Sequence, residues 1–346
     1  VYERASEHKP DSAAHTAAAM VAPISERGIA ADQVYHRGLR SLELWPQLVR
    51  ELNQETGLRV AMGRSGTLLL AHELDAALMN QWRQTLQHHD IGSDQVSWLD
   101  EPAIAQLEPA LAGRFRQGCY VPTELHLDNR TLLTALQQAA AAYDAVFCFE
   151  TPIHQANGHY WCADQRLKAD LLIDCRGIGA RDLTTGERPR AVRGEVCWIE
   201  STQVQLTRPV RLLHPRYSLY LVPKPSPMGR FRYILGATEI ESDDNSPVSV
   251  RSALEMLSAL YSINPALAEA RILELDANLR PAYADHIAHF EQSGYCVCIN
   301  GLFRHGFLQA PALLQELQQQ LNWPLQLPLA DGGMPINPEL MLEGRA

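Results

Sequence analysis

Apolar side chains recur at helical spacing in several segments of the chain. Over residues 31–53 they fall every three or four positions, which predicts an amphipathic helix with Asp32 as its N-cap. Pro46 should kink this helix or divide it in two, because proline lacks an amide hydrogen and clashes with the preceding turn. Similar spacing predicts helices over residues 75–88, 101–107 and 307–321, a helix capped by Asp128, and a helix from Ser249 to Asn264.

Shorter apolar runs, separated by Gly, Pro and Ser, are typical of β-strands. They are concentrated in the middle of the chain and return near its end. The predicted strands cover residues 65–70, 145–150, 160–163, 169–175, 195–200, 217–222, 232–237 and 294–299. The segment from Pro324 onward is rich in Pro and Gly, and we expect it to be irregular.

The order of these elements indicates an α/β protein with α+β mixed character. A strand-and-helix beginning gives way to a mixed middle and a β-rich part, and a strand followed by a helix comes at the end. This order predicts one discontinuous domain with a second domain inserted into it. The length of 346 residues fits two domains.

Composition places the chain among ordinary globular proteins, with 46% hydrophobic and 20% charged residues. The net charge of −10 and the lack of any Lys/Arg run argue against nucleic acid as a partner, since binding phosphates needs a basic face. No apolar stretch approaches the roughly 18–20 residues that cross a bilayer. We therefore expect no membrane span.

The seven cysteines are odd in number, and most lie in apolar runs. This favours buried, reduced thiols in a cytoplasmic protein over a disulfide framework. Cys296 and Cys298 would share one face of a strand, because side chains alternate with a period of two. A zinc site needs more ligands at fitting spacing, and we predict none.

Two predicted strands end in glycine-containing turns that could bind an anionic cofactor. Gly177 ends one apolar run, and Gly301 follows another and leads through Arg304 and Gly306 into a helix. A strand, a turn and a helix N-terminus together present free amides and the positive end of a helix dipole. Simple turn formation is the alternative reading of either glycine.

The first residues, Val1-Tyr2-Glu3, are typical of the end of the second strand of a dinucleotide-binding fold, where an acidic residue binds a ribose. A solvated terminal glutamate is the alternative. The glycine fingerprint of that fold should lie about 20 residues earlier. We therefore expect the chain to lack its true N-terminus.

The order of segments resembles the FAD-dependent glycine oxidases of thiamin (thiazole) biosynthesis, within the wider D-amino-acid oxidase-like (DAO) group. The resemblance covers nearly the whole chain and is carried by short motifs in the family's order. These are residues 17–23 (AAAMVAP), Glu108-Pro109 before Leu127-Asp128, Arg193-Gly194-Glu195, residues 220–223 (YLVP), Gly236-Ala237-Thr238, Leu279-Arg280-Pro281 and residues 300–306 (NGLFRHG).

The resemblance implies an FAD-binding Rossmann-like domain, here without its first βα unit, and a mixed-sheet substrate domain. The FAD domain would comprise residues 1–50, 145–190 and 285–330, and the substrate domain residues 51–144 and 191–284. Residues 331–346 would form an irregular tail. The family also suggests a homo-oligomer.

The resemblance assigns Arg280 and Arg304 to the carboxylate of a small amino-acid substrate, which the fork of a guanidinium fits, and Tyr220 to closing the pocket. Surface arginines and a core tyrosine are the alternatives. The FAD contacts carried over by position are Glu3 and Arg4 on the ribose side, Ala13, Ala14, Ala18, Ala19 and Met20 against the ring, the backbone of Ile153, and Leu302, Phe303, Arg304, His305, Gly306, Phe307 and Leu308.

Glu239 departs from the family's pattern, which usually has methionine at this position. A carboxylate beside the substrate could pair with its ammonium group. It could equally raise the pKa of that amine and slow the reaction, since hydride loss needs the neutral amine. Glu239 is therefore expected to change substrate preference or the pH profile.

The implied reaction is oxidative deamination of glycine, a small related amine or a D-amino acid. The imine would hydrolyse to glyoxylate and ammonia or be used for thiazole formation, and dioxygen would reoxidise FAD and give hydrogen peroxide. Hydride passes directly to the flavin, so no catalytic side chain is expected. The alternatives are an amino-acid or sarcosine dehydrogenase with another electron acceptor, and a truncated remnant that cannot hold FAD.

Overall fold

Strands and helices alternate along the chain in a computed structural model that describes residues 1–183, 186–215 and 218–322. The strands are β1 (Met20–Val21), β2 (Met62–Gly63), β3 (Thr67–Ala71), β4 (Ser97–Asp100), β5 (Gln117–Val121), β6 (Leu125–Leu127), β7 (Ile153–Ala156), β8 (His159–Cys162), β9 (Gln165–Arg166), β10 (Leu172–Asp174), β11 (Arg190–Ser201), β12 (Val210–Leu213), β13 (Ser218–Lys224), β14 (Phe231–Gly236), β15 (Ile240–Glu241), β16 (Arg271–Ala282), β17 (His289–Ser293) and β18 (Cys296–Asn300). The helices are α1 (Ala13–Thr16), α2 (Asp32–Thr56), α3 (Ala76–His88), α4 (Glu101–Leu107), α5 (Asn129–Ala142), α6 (Val250–Ile263) and α7 (Gly306–Gln320). The predicted mixed α/β fold class is confirmed.

A nine-stranded mixed sheet forms the largest layer, in the order β15-β11-β14-β13-β12-β3-β5-β4, with β16 also paired to β11. Its pairs are antiparallel except β12 with β3. Leu68, Leu221 and Leu235 project from one face and pack with Met256 and Ile263 of α6. Burial of this apolar face fixes the register of the strands, because a one-residue slip would turn it to solvent.

Three smaller sheets have the orders β1-β6-β2, β10-β18-β17 and β7-β8-β9. Strands β10 and β18 run parallel, so their carboxyl ends lie at the same edge. The chain passes from the end of β18 through residues 301–305 into α7. The predicted strand, turn and helix N-terminus are therefore present.

Helix α2 crosses the middle of a second core and contacts both α5 and α7. It continues through Pro46 without division, so of the two predicted outcomes the split is wrong, while the kink stays a prediction. Packing on two neighbouring helices outweighs the hydrogen bond that proline removes. Asp32 is also not the N-cap: Ala31 holds that position, and Asp32 instead pairs with Arg27 at 2.6 Å.

Several predicted elements differ from those observed. Residues 145–150 do not form a strand, because Cys148 makes an isolated bridge with Tyr2 and Val146 remains exposed. The long strand β16 and the shorter β12 and β17 were not predicted. The predicted irregular segment from Pro324 and the first residue of the predicted strand 217–222 lie outside the described residues.

All seven cysteines are free, but their environments differ. Cys119 and Cys197 are buried and Cys175 is exposed, so the expectation that these thiols are core residues holds for only part of the set. Cys296 and Cys298 pack against the same small cluster, as residues on one strand face do. Within the described ranges no three His, Cys, Asp or Glu side chains could hold a metal ion, and no helix is long and apolar enough to cross a membrane.

Candidate active site

A cavity of about 390 Å³ lies between the large sheet, the segment 13–20 and the start of α7. Segment 13–20 supplies mostly small side chains, β16 supplies the polar side chains of Asn278 and Arg280, and the turn before α7 supplies residues 302–305. The predicted site residues that line it are Ala13, Ala14, Ala18, Ala19, Met20, Tyr220, Glu239, Arg280, Leu302, Phe303, Arg304, His305, Gly306, Phe307 and Leu308. Residues far apart in sequence thus meet at one cavity.

Arg280 lies within β16 and reaches the cavity across β11. Its Nη1 donates to the carbonyl of Thr238 at 3.0 Å and, more weakly, to that of Arg193 at 3.4 Å. Burial lowers its pKa, and the nearby charge of Arg304 adds to this effect. No carboxylate in the described part of the chain lies within ion-pair distance of Arg280. Among the residues that the structure describes, its charge therefore lacks an anionic partner.

Gly194 makes room for this guanidinium. A Cβ at Gly194 would lie 2.1 Å from Nη2 of Arg280, far inside van der Waals contact. The position lies in strand β11 beside β16. Any side chain at residue 194 would push the guanidinium out of its present place.

We therefore expect Gly194→Ala to weaken substrate binding with little loss of stability, because the clash is with the mobile end of a side chain and not with backbone. KM should rise about tenfold, the loss of roughly 1.4 kcal/mol of binding. Steady-state kinetics, with the flavin spectrum and thermal midpoint as controls, measure this. An unchanged KM would show that the guanidinium position is not needed.

The strands that hold Arg280 are joined by a buried polar network. Arg193 and Glu195 form an ion pair at 2.8 Å with both side chains buried. Thr238 donates its hydroxyl to Oε2 of Glu195 at 3.0 Å, and the same hydroxyl accepts from the Glu195 amide at 2.9 Å. Two motifs recognised in the sequence therefore act together to fix the Thr238 carbonyl that binds Arg280.

Arg304 has a different environment from Arg280, because two carboxylates hold it. Its Nη2 lies 2.8 Å from Glu26, and its Nη1 lies 2.7 Å from Glu239. Glu26 also pairs with Arg211 at 2.7 Å, and Nε2 of His305 lies 3.2 Å from it. Burial alone would raise the pKa of Glu26, but Arg211 and Arg304 overcome it and hold that pKa well below its usual range.

Sequence reasoning did not identify Glu26. It lies three residues after the motif of residues 17–23, in the polar group Ser25-Glu26-Arg27, and its side chain is largely buried. A polar group shortly after an apolar segment assigned to the flavin was the available signal. Arg211, which binds the other side of Glu26, lies in β12, a strand that was not predicted.

Tyr220 and Glu239 lie where a bound ligand would contact them. Tyr220 is in β13, opposite Gly236 of β14, and lines the cavity. Burial raises the pKa of its phenol, which keeps it a hydrogen-bond donor. Glu239 follows β14 and contacts Arg304 with a side chain that is 45% exposed. Their roles toward a substrate stay predictions.

The residues around the cavity fit a flavin. The alanines of segment 13–20 leave space for a flat ring system, and α7 begins at the cavity with no side-chain cap on its first amides. Such uncapped amides favour negative charge on a ligand. Trp45 donates its Nε1 to the carbonyl of Phe307 at 2.8 Å and fixes this turn.

Two lining residues hold backbone conformations unusual for residues with a side chain. Ala19 has φ 55° and Phe303 has φ 50°, both in the left-handed region. Such conformations persist when surrounding contacts hold them. The amide of Phe303 donates to the carbonyl of Pro281 at 2.8 Å, next to Arg280.

Three predicted cofactor residues do not line this cavity. Glu3 accepts from the amide of Ala5 at 2.8 Å, and Arg4 pairs with Asp11 at 3.0 Å. The carbonyl of Ile153 accepts from Arg176 at 3.0 Å. Their contacts with the distal part of FAD stay predictions.

Comparisons with known proteins agree with this geometry. The family of FAD-dependent oxidoreductases named DAO matches residues 1–318. A putative thiamine biosynthesis oxidoreductase, ThiO, of Rhizobium etli is 38% identical over 305 residues, which cover 88% of this chain and 84% of that protein. A glycine oxidase of Geobacillus kaustophilus is 26% identical over 79% of this chain and 74% of its own.

Solved structures show the same fold. The crystal structure of glycine oxidase from Geobacillus kaustophilus superposes with a TM-score of 0.77 at 21% identity, covering 92% of this chain and 87% of that one. An iminodiacetate oxidase from a Chelativorans species gives 0.76 at 22% identity, covering 93% and 89%. The predicted cofactor, FAD, and the predicted enzyme class, an FAD-dependent oxidoreductase, are confirmed. The chain belongs to the DAO family of FAD-dependent oxidoreductases.

Proposed function

We propose that this oxidoreductase oxidises glycine or a small related amine or D-amino acid to the imine. The observation that carries the proposal is Arg280, a half-buried cation with no carboxylate partner in the described residues, at the wall of an alanine-lined cavity. A substrate carboxylate would supply the missing negative charge through a forked pair of hydrogen bonds. The names of the relatives, glycine oxidase and thiamine biosynthesis oxidoreductase, support the same substrate class.

The protein's own part in this reaction is to bind and orient the substrate. Arg280 would hold the carboxylate, and its own position is fixed by the Thr238 carbonyl. Tyr220 lies at the same wall and would donate its phenol hydrogen to the ligand. Holding the reacting groups in place accounts for much of a catalyst's effect.

The segments 13–20 and 302–308 would hold the flavin, and bound FAD would take the hydride from the carbon that bears the amine. The first amides of α7 would then stabilise the negative charge that develops on the ring. No described side chain has to remove the Cα hydrogen as a proton. The neutral amine is required, so its pKa in the site matters to the rate.

We further propose the products and the use of the reaction. With glycine as substrate, the imine would hydrolyse to glyoxylate and ammonia or be captured for thiazole formation in thiamin biosynthesis, and dioxygen would accept the electrons and give hydrogen peroxide. The relatives' names support the biosynthetic role. A homo-oligomeric state and a cytoplasmic location stay predictions.

The division into domains is also a proposal. The FAD domain would contain residues 1–50, 145–190 and 285–330, and the substrate domain residues 51–144 and 191–284. Two of the sheets support this division, because β10, β17 and β18 form one small sheet while the nine-stranded sheet is drawn from residues 67–121 and 190–282. The sheet β1-β6-β2 joins strands from both ranges. The cavity lined by both ranges would then lie at the domain boundary.

The assay is the purified protein under air with glycine, sarcosine and D-alanine, with detection of hydrogen peroxide. We expect a flavin absorbance spectrum, bleaching of the spectrum by substrate without air, and peroxide with at least one of the three amines. Bleaching without peroxide would indicate a dehydrogenase with another acceptor. Protein that is folded but colourless after incubation with FAD would contradict the proposal and favour a non-catalytic remnant.

A further inference from the structure

Four side chains form a row of alternating charge, which we call the charge chain: Arg211, Glu26, Arg304 and Glu239. All but Arg211 line the cavity. Successive members are 2.7, 2.8 and 2.7 Å apart. The ion pairs hold the pKa of Glu26 low and raise that of Arg304, so the buried members stay ionised. The formal charge of the charge chain is therefore zero.

Arg280 stands outside the charge chain. Its recorded hydrogen bonds go to two backbone carbonyls, and the charge of Arg304 acts on it unfavourably. A ligand that enters the cavity thus meets one uncompensated positive charge. That charge matches one carboxylate, since a second would meet the two glutamates around Arg304.

The two glutamates of the charge chain differ in how firmly they are held. The side chain of Glu26 is 14% exposed and contacts Arg211, Arg304 and His305. The side chain of Glu239 is 45% exposed and contacts Arg304 at the mouth of the cavity. Removing the charge of Glu239 would leave Nη1 of Arg304 free while Glu26 still holds Nη2 in place.

Other ionisable groups nearby do not change the number of acidic groups at the mouth of the cavity. Nε2 of His305 contacts Oε2 of Glu26, the same oxygen that Arg304 binds, and its ion-pair contact is with Glu26 and not with Glu239. Glu124 binds the amide and hydroxyl of Ser25 at 2.7 and 2.6 Å and does not line the cavity. Glu239 is thus the acidic group at the rim that a second carboxylate would have to displace.

We propose that Glu239 restricts this site to ligands with a single carboxylate, by occupying the face of Arg304 that would otherwise bind a second one. The inference rests on the proposed function and names the substrate class of the same site: amines with one carboxylate. It makes Glu239 a specificity-determining residue, which acts through Arg304. Dicarboxylates are excluded by charge and not by size.

The experiment compares the binding of two unreactive ethers, methoxyacetate with one carboxylate and diglycolate with two, by isothermal titration calorimetry on the FAD-loaded protein. Glu239→Gln keeps the shape of the side chain and removes its charge. This variant should bind diglycolate at least about tenfold more tightly, or by roughly 1.4 kcal/mol. Its affinity for methoxyacetate should change less than about threefold. The matched control is Glu241→Gln, because Glu241 lies two residues further on, pairs with Arg190 and is outside the cavity.

Two further variants locate the effect. Arg304→Met in the Glu239→Gln background should abolish the gain for diglycolate, and Arg280→Met should abolish binding of both ethers. Equal effects of Glu239→Gln on both ethers, or no measurable diglycolate binding by that variant, would overturn the inference. Because no turnover is needed, failure to oxidise glycine would count against the proposed function alone.

Discussion

Replacing Arg280 with methionine should lower kcat/KM for glycine about a thousandfold, while the protein still folds and binds FAD. The truncation leaves the substrate carboxylate in a partly buried cavity without a positive partner, because Arg304 is already held by Glu26 and Glu239. Removing one member of such a pair costs about 2–5 kcal/mol, and a thousandfold is roughly 4 kcal/mol. Methionine keeps the apolar stem and the volume.

The size of this effect depends on geometry as well as charge. Arg280→Lys restores a positive charge but not the fork of the guanidinium. We therefore expect kcat/KM of Arg280→Lys to exceed that of Arg280→Met by only about tenfold. The matched control is Arg232→Met, because Arg232 pairs with Glu200 on the same sheet and does not line the cavity. Steady-state kinetics and the flavin spectrum measure the outcome. A kcat/KM within tenfold of the wild type would show that another group binds the carboxylate.

The sequence predicted the residues of the site better than their surroundings. The Leu279-Arg280-Pro281 motif located Arg280, and the structure brings it to the cavity. The same reasoning gave Arg304 the same role, but the charge of Arg304 is compensated by Glu26, 278 residues away in the chain. Partners that distant leave no local pattern, so only the folded structure shows that the two arginines differ.

Local patterns also failed where tertiary contacts decided the outcome. The apolar run at residues 145–150 satisfies strand propensity, but the backbone–backbone hydrogen bonds of residues 146–150 go to residues 1–5, and the two segments form one isolated bridge instead of a continuous ladder. In β16 several apolar side chains are exposed. The strand therefore lacks the alternation of apolar and polar residues by which a half-buried strand is recognised. Helix α2 continues through Pro46 because its packing against α5 and α7 outweighs the hydrogen bond that proline removes.

The second large effect is expected at Lys224, which lies at the end of β13 beneath the flavin-side segment. Its Nζ donates to the carbonyls of Ala18 and Leu127, each at 2.8 Å, and to Oδ1 of Asn129 at 3.1 Å. The ammonium form has three N–H donors for these three acceptors, and the neutral amine keeps two of them. One acceptor belongs to a segment that lines the cavity. Lys224 ties that segment to β6 and to the first turn of α5.

Lys224→Met should lower the free energy of unfolding by about 3 kcal/mol at pH 8 and weaken FAD binding, because the three acceptors lose their donor. Lys168→Met is the matched control, since Lys168 is exposed. Denaturant unfolding of both FAD-loaded variants, with FAD titration followed by fluorescence, measures the two effects. Equal free energies of unfolding of the two variants would show that the hydrogen bonds of Lys224 contribute nothing to stability.

The difference in free energy of unfolding between wild type and Lys224→Met should also depend on pH. The burial of Lys224 determines the direction of this dependence. Burial lowers the pKa of Lys224 to about 7, with Asp128 opposing this effect and Arg130 adding to it. The lysine of the unfolded chain has a pKa near 10.4. Between pH 7 and this pKa the unfolded chain therefore binds more protons than the folded protein. The wild-type free energy of unfolding then rises by up to about 1.4 kcal/mol per pH unit. His126 adds no slope there, because its pKa is lowered to about 3 and it stays neutral. The difference in free energy of unfolding between wild type and Lys224→Met should therefore widen by roughly 2 kcal/mol between pH 7 and pH 9. A difference that stays constant over this range would mean that Lys224 remains charged among its three acceptors.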